Sequence, residues 1–180
     1  RLNLSPVLTA RALSRLKAEL DTLRNDLDQW VSRPVWSQLS NGPQVLVSVE
    51  HKRAISQVLL RAWRRQTESV HFDGHTGYVL NLNAWPVDAL PELSADFGHI
   101  SSLRLNYSPN GKFPRGFLEK FRNLRVLSLT HSHLRALPPE LSAMPELIEL
   151  DLRGNQIVLN SQGSALLSAL TKLKSLNLNG

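Results

Sequence analysis

Leucines paired across one residue recur at Leu80/Leu82, Leu103/Leu105, Leu127/Leu129, Leu150/Leu152 and Leu176/Leu178, in steps of 23, 24, 23 and 26 residues. In an extended backbone successive side chains face opposite sides, so each pair turns two apolar groups inward and its neighbours outward. A single strand of this kind makes no core. Its buried half is completed only by a neighbour, and the near-constant period predicts short parallel strands stacked side by side. Leu90-Pro91, Phe113-Pro114 and Leu137-Pro138 close the turns that follow, proline fixing φ there. The last interval is longer, and Leu166, Leu167, Leu170 and Leu173 predict a helix over 164–173.

The first third follows a different period. Ser5-Pro6 is a helix start, and Leu13, Leu16, Leu20, Leu23, Leu27 and Trp30 then alternate steps of three and four along one helix over 6–32. Pro34 ends it by disfavouring helical geometry in the residue before it. A second helix is expected over about 48–66, with Ile55, Val58, Leu59, Ala62 and Trp63 forming a broad apolar face. Asn41-Gly42-Pro43 marks the turn between them, and two helices so joined pack as an antiparallel hairpin. A coiled-coil dimer through the leucine stripe is the alternative. Lys52, Arg53, Arg61, Arg64 and Arg65 suit a solvated helix face.

Between Leu124 and Ile157 the chain writes L-x-x-L-x-L-x-x-N-x-L twice, with Ser132 and Asn155 at the asparagine position. This is the pattern of a leucine-rich repeat. Trp85 and Ser108 hold the same position in the two repeats before, and the bulky Trp85 reads as an atypical terminal repeat. The expected fold is therefore α/β: a leucine-rich-repeat solenoid with short parallel strands on its concave face, preceded by the helical hairpin. Residues 1–72 form the helical cap and 73–180 about five repeats, the last incomplete. Gly74 and Gly77 suggest that 70–78 is a connector into the first repeat strand rather than a His71/Asp73/His75 metal site.

Composition adds less. A hydrophobic content of 42% with 20% charged residues indicates a folded chain, without an apolar run long enough to span a bilayer. Of the net charge of +6, residues 1–72 hold 11 basic and 6 acidic residues and 73–180 hold 10 and 9. A basic helical cap binding nucleic acid or an anionic membrane is thus an alternative to keep. There is no cysteine, which removes thiol nucleophiles, thiolate zinc sites and disulfides from these residues. A start at Arg1 and a stop at Gly180, short of the next repeat asparagine, read as a piece of a longer protein.

The runs Leu124-Arg-Val-Leu-Ser-Leu, Leu137-Pro-Pro-Glu-Leu141 and Leu147-Ile-Glu-Leu-Asp-Leu-Arg-Gly-Asn155 resemble bacterial leucine-rich repeats of the Leu-Pro-x-x-Leu type. The helix ending Ala62-Trp-Arg-Arg-Gln-Thr-Glu68 is similar to the segment before the repeats in large effector and toxin-like proteins of Pseudomonas-type bacteria. In that family the repeats precede a cysteine-dependent novel E3 ubiquitin ligase domain, select its substrates and restrain it. The resemblance implies a host-target recognition module of a bacterial effector secreted into host cytoplasm. It carries no ligase activity onto any residue of this cysteine-free chain. A stand-alone repeat scaffold is the other form of this reading.

Recognition is expected on outward positions of the strands: Asn81, Asn83, Arg104, Asn106, Ser128, Thr130, Asp151, Arg153, Asn177 and Asn179, with Tyr107 and His131 one step further on. A polar row of mixed charge suits a protein partner better than a polyanion. No cofactor, metal or small-molecule substrate is implied. His99, His131 and His133 with Ser101, Ser108 or Ser132 do not add up to a hydrolase, since no G-x-S-x-G elbow accompanies them.

Overall fold

The computed structural model describes residues 6–38, 43–72, 74–83, 90–106, 113–114 and 116–179. Ser5, Asn41, Gly42, Asp73 and Trp85 fall outside these, and with them the helix cap, the turn and the atypical repeat position read from the sequence. The fold is α/β, with three α-helices among the described residues, one of them N-terminal, and a mostly parallel sheet.

Helix α1 (Pro6–Ser32) is followed by a small antiparallel ribbon, β1 (Trp36–Gln38) with β2 (Gln44–Leu46), and then by α2 (Val49–Trp63). At 1.5 Å per residue α1 is about 40 Å long and α2 about 22 Å, so α2 covers only half of α1. Burial follows this arithmetic. Leu23 and Leu27 are 0% and 1% exposed, whereas Leu13 and Leu16, on the same stripe, are 62% and 50% exposed.

Ser48 caps α2, its hydroxyl accepting from the His51 amide at 3.1 Å. Lys52, expected on the solvated face, is instead buried: its Nζ donates to the carbonyls of Val31, at 2.7 Å, and Arg33. These are carbonyls at the end of α1, which no further helical turn satisfies, and a cation is favoured at that negative pole. Lys52 thereby clips the two helices together. Arg65, at φ +59°, ends α2 in the left-handed region.

The main sheet has the order β3-β4-β5-β6-β7-β8. Strands β3 (Ser69–Phe72) and β4 (His75–Asn81) pair antiparallel about Gly74, so the expected connector is a hairpin that covers the outer edge of the first long strand. From β4 onward, through β5 (Ile100–Arg104), β6 (Val126–Ser128), β7 (Glu149–Asp151) and β8 (Ser175–Asn177), every pairing is parallel. The register aligns Leu80, Leu103, Leu127, Leu150 and Leu176. The first four are at most 1% exposed, and so are Leu82, Leu105, Leu129 and Leu152. Leu176, on the last strand of the sheet, is 40% exposed because among the described residues no strand is packed on its far side.

The described parts of the return segments hold short elements. 3-10 turns at Leu118–Phe121 and Pro139–Ala143 turn Leu118, Phe121 and Leu141 inward, and Phe97, Phe117 and Phe121 fill the layer behind the strands with ring centroids 5.3–5.5 Å apart. The last return holds α3 (Ser161–Ala169), which begins and ends earlier than the 164–173 expected from its leucines. Asn160 sets the start, its Oδ1 accepting from the Gly163 amide at 2.8 Å. Leu170 and Leu173 lie in the turn that leads to β8, where Leu170 still packs into the core.

Leu23, Leu27, Ile55, Leu59 and Ala62 belong to the same buried cluster as the strand leucines, so the helices and the sheet share one core. Polar links reinforce that seam. Glu19 accepts from the Asp96 amide at 2.8 Å and from Trp63 Nε1 at 3.3 Å, Ser94 donates to Asp26, and His99 Nε2 donates to the Ala62 carbonyl at 2.8 Å.

Candidate functional site

The parallel register does to the outward residues what it does to the leucines. Asn81 stands beside Arg104, Arg104 beside Ser128, Ser128 beside Asp151 and Asp151 beside Asn177, each on a consecutive strand. With strands about 4.8 Å apart, this row crosses the whole parallel part of the sheet in about 19 Å. Asn83, Asn106 and Arg153 flank it, and a hollow of about 400 Å³ runs between Arg104, Asn106, Ser128, Asp151, Arg153 and Asn177.

Several of these side chains are already committed. Arg153 grips Asp151 with a fork, Nε to Oδ1 at 2.9 Å and Nη2 to Oδ2 at 2.8 Å. The Arg153 guanidinium and amide hold the Asp151 carboxyl below the usual carboxylate range, against the opposing effect of its partial burial, and the pair raises Arg153 in turn. The amide groups form a chain: Asn81 Oδ1 accepts from the Asn83 amide at 3.1 Å, Asn83 Oδ1 from the Asn106 amide at 3.2 Å, and Asn106 Oδ1 from the Ser128 hydroxyl at 3.3 Å. Arg104 is exposed, and among the described residues it has no counter-ion.

Thr130, expected on this face, is only 6% exposed and does not belong to it. The chain turns inward just after Leu129, where Ser132 Oγ donates to the Thr130 carbonyl at 3.2 Å. His131 is exposed but sits on this turn at φ +51°, its ring lying over Gly154. A Cβ on Gly154 would fall 2.2 Å from His131 Nδ1, and Gly154 itself has φ +68°, so only glycine fits beneath that ring. Tyr107 lies outside the described residues.

One line of the face was missed from the sequence. Val126, Glu149 and Ser175 precede the buried leucine of their strands and pair in register, adding the exposed Glu149 beside Asp151, while Ser102 at the same position of β5 is buried. Strand alternation two residues back from Asp151 was the signal for it.

Asn155 holds the turn that carries the site. Its Oδ1 accepts from the amides of Ser132 at 2.9 Å and Leu134 at 3.1 Å, and its Nδ2 donates to the carbonyls of Leu129 at 2.8 Å and Leu152 at 2.7 Å. One side chain thus ties the turn of its own strand to that of the strand before.

His99 is wedged between Phe97 and Tyr78, its ring centroid 5.9 Å from that of Tyr78, and burial pushes its pKa down. Its Nε2 proton is given to the Ala62 carbonyl, which leaves it a structural contact. Ser132 is fully buried, and Ser108 lies outside the described residues. Among the described residues no group of His, Asp or Glu is arranged to hold a metal, and no helix is long and apolar enough to cross a membrane. The chain matches no protein-family model, and no curated protein is significantly similar to it.

Proposed function

We propose that this chain is a leucine-rich-repeat solenoid capped by its N-terminal helices, and that its strand face is a protein-recognition surface. The observation that carries this is the register of Asn81, Arg104, Ser128, Asp151 and Asn177 over a buried ladder of leucines. A core built this way fixes outward side chains on rigid strands, and a rigid row of amides and charges is suited to an extended segment or helix of a partner. The alternation of Arg104 with Asp151, Glu149 and Arg153 speaks against a polyanion, which needs a surface of one sign. Following the sequence resemblance, the partner is a host protein selected for a ligase domain elsewhere in a larger bacterial effector.

Arg104 is the anchor on this reading, since its guanidinium has no counter-ion among the described residues while that of Arg153 is held by Asp151. Arg104→Ala is expected to cost about 1–3 kcal/mol of partner affinity, and Arg153→Ala less. Affinity capture from a host-type lysate checks this, with Arg53→Ala/Arg61→Ala on the exposed side of α2 as control. Loss of the captured protein in the control together with its retention by Arg104→Ala would rule the strand face out.

A further inference from the structure

We propose that the groove between the bare half of α1 and the end of α2 is a second docking site, taking an acidic amphipathic helix of a partner protein. This site is separate from the strand face and does not depend on it. Its floor is apolar: Leu13, Leu16, Leu20 and Trp63 line a cleft of about 860 Å³, with Leu13 62% and Leu16 50% exposed. Arg64 and Arg65 stand at its other wall, and Lys17 shares the α1 side.

The charges facing the cleft are unequal in a way that composition hides. Its two carboxylates are already engaged: Glu19 accepts from Trp63 Nε1 and the Asp96 amide, and Asp96 pairs with Arg122 at 2.8 Å and accepts from the Gly98 amide at 2.9 Å. Lys17, Arg64 and Arg65 have no counter-ion among the described residues. What an occupant meets is an apolar floor with positive rims, which is the complement of a helix bearing leucines on one face and carboxylates beside them.

Arg65 supplies an independent sign. It holds φ +59° at the position after a helix where glycine is the usual residue, and an arginine there is strained. Strain kept at a side chain that rims a cleft points to a use for the guanidinium. An anionic membrane is the less suitable occupant. At 3.6 residues per turn Arg11 and Arg15 fall on the side of α1 opposite Leu13, Leu16 and Leu20, so a bilayer receiving the leucines would leave these cations pointing away.

The test uses the whole chain and a fluorescein-labelled helical peptide of about 18 residues, with leucines at i, i+3, i+4 and i+7 and glutamates elsewhere, followed by anisotropy. A peptide with lysine in place of glutamate, and phosphatidylcholine vesicles with and without phosphatidylserine, are the comparison arms. Saturable binding of the glutamate peptide that weakens with salt, and falls about tenfold in both Leu13→Ser/Leu16→Ser and Arg65→Gly, supports the site. Arg65→Gly separates binding from folding, because glycine relieves the strain and its melting temperature is expected to stay the same or rise. Equal binding of the two peptides, no binding of either, or binding of the anionic vesicles alone would overturn the proposal.

Discussion

Asn155→Ala is expected to lower the unfolding free energy by about 2–4 kcal/mol, a large effect for the loss of one small side chain. The reason is the number of backbone groups that depend on it. The amides of Ser132 and Leu134 and the carbonyls of Leu129 and Leu152 all bond to this one carboxamide, which is 8% exposed. Truncation leaves two donors and two acceptors in a turn closed to water, and each unsatisfied buried group costs about 1–3 kcal/mol before relaxation. Asn155→Asp is expected to cost at least as much at neutral pH, because a carboxylate oxygen still accepts from Ser132 and Leu134 but the other one faces the two carbonyl oxygens with nothing to donate. Denaturant titration of the three proteins gives the order directly. Equal midpoints for Asn155→Ala and the parent would mean that the turn is held by something else.

Leu129→Ala and Leu152→Ala are each expected to cost about 2–5 kcal/mol, since both side chains are buried and the layers around them collapse only partly into the space left. Leu176→Ala is the informative contrast. Leu176 aligns with Leu150 in the ladder but is 40% exposed, so it loses less transfer free energy and leaves no enclosed cavity. A chain in which all three substitutions shifted the midpoint alike would have a different register, because a slip of one residue exchanges the buried and exposed sets.

The mostly parallel sheet was legible because leucine at alternate positions with a period near 24 residues admits few packings. Features set by the length of a neighbour or by a local bond were not. The stripe from Leu13 to Trp30 reads as uniformly buried, and only the shortness of α2 decides that Leu23 is covered and Leu13 is not. Lys52 falls among basic residues that suit water, and its burial follows from the unsatisfied carbonyls of Val31 and Arg33 above it. The β1–β2 ribbon and the β3–β4 hairpin are made of three- to seven-residue strands whose partners are adjacent, and such short apolar runs carry too little periodicity to be separated from loops.

For the candidate site, alternation alone puts Arg104, Ser128, Asp151 and Asn177 in one row, because that row is the reverse side of the leucine ladder. Thr130 was misplaced because alternation was continued two residues beyond the strand, into the turn that Asn155 and Ser132 hold. The fork between Arg153 and Asp151 was hidden for another reason. Side chains two apart on a strand share a face, but whether they bond each other or a partner depends on rotamers, which no pattern reports.

The outward residues of five consecutive strands form one continuous row, and that row is open to a distance measurement. Because the chain has no cysteine, Asn81→Cys/Asn177→Cys can carry two nitroxide labels and nothing else. Four strand spacings separate these positions, so a single dipolar distance centred near about 20 Å is expected from pulsed electron paramagnetic resonance. A distribution centred beyond about twice that span would contradict the strand order, and with it the surface on which the proposed recognition depends.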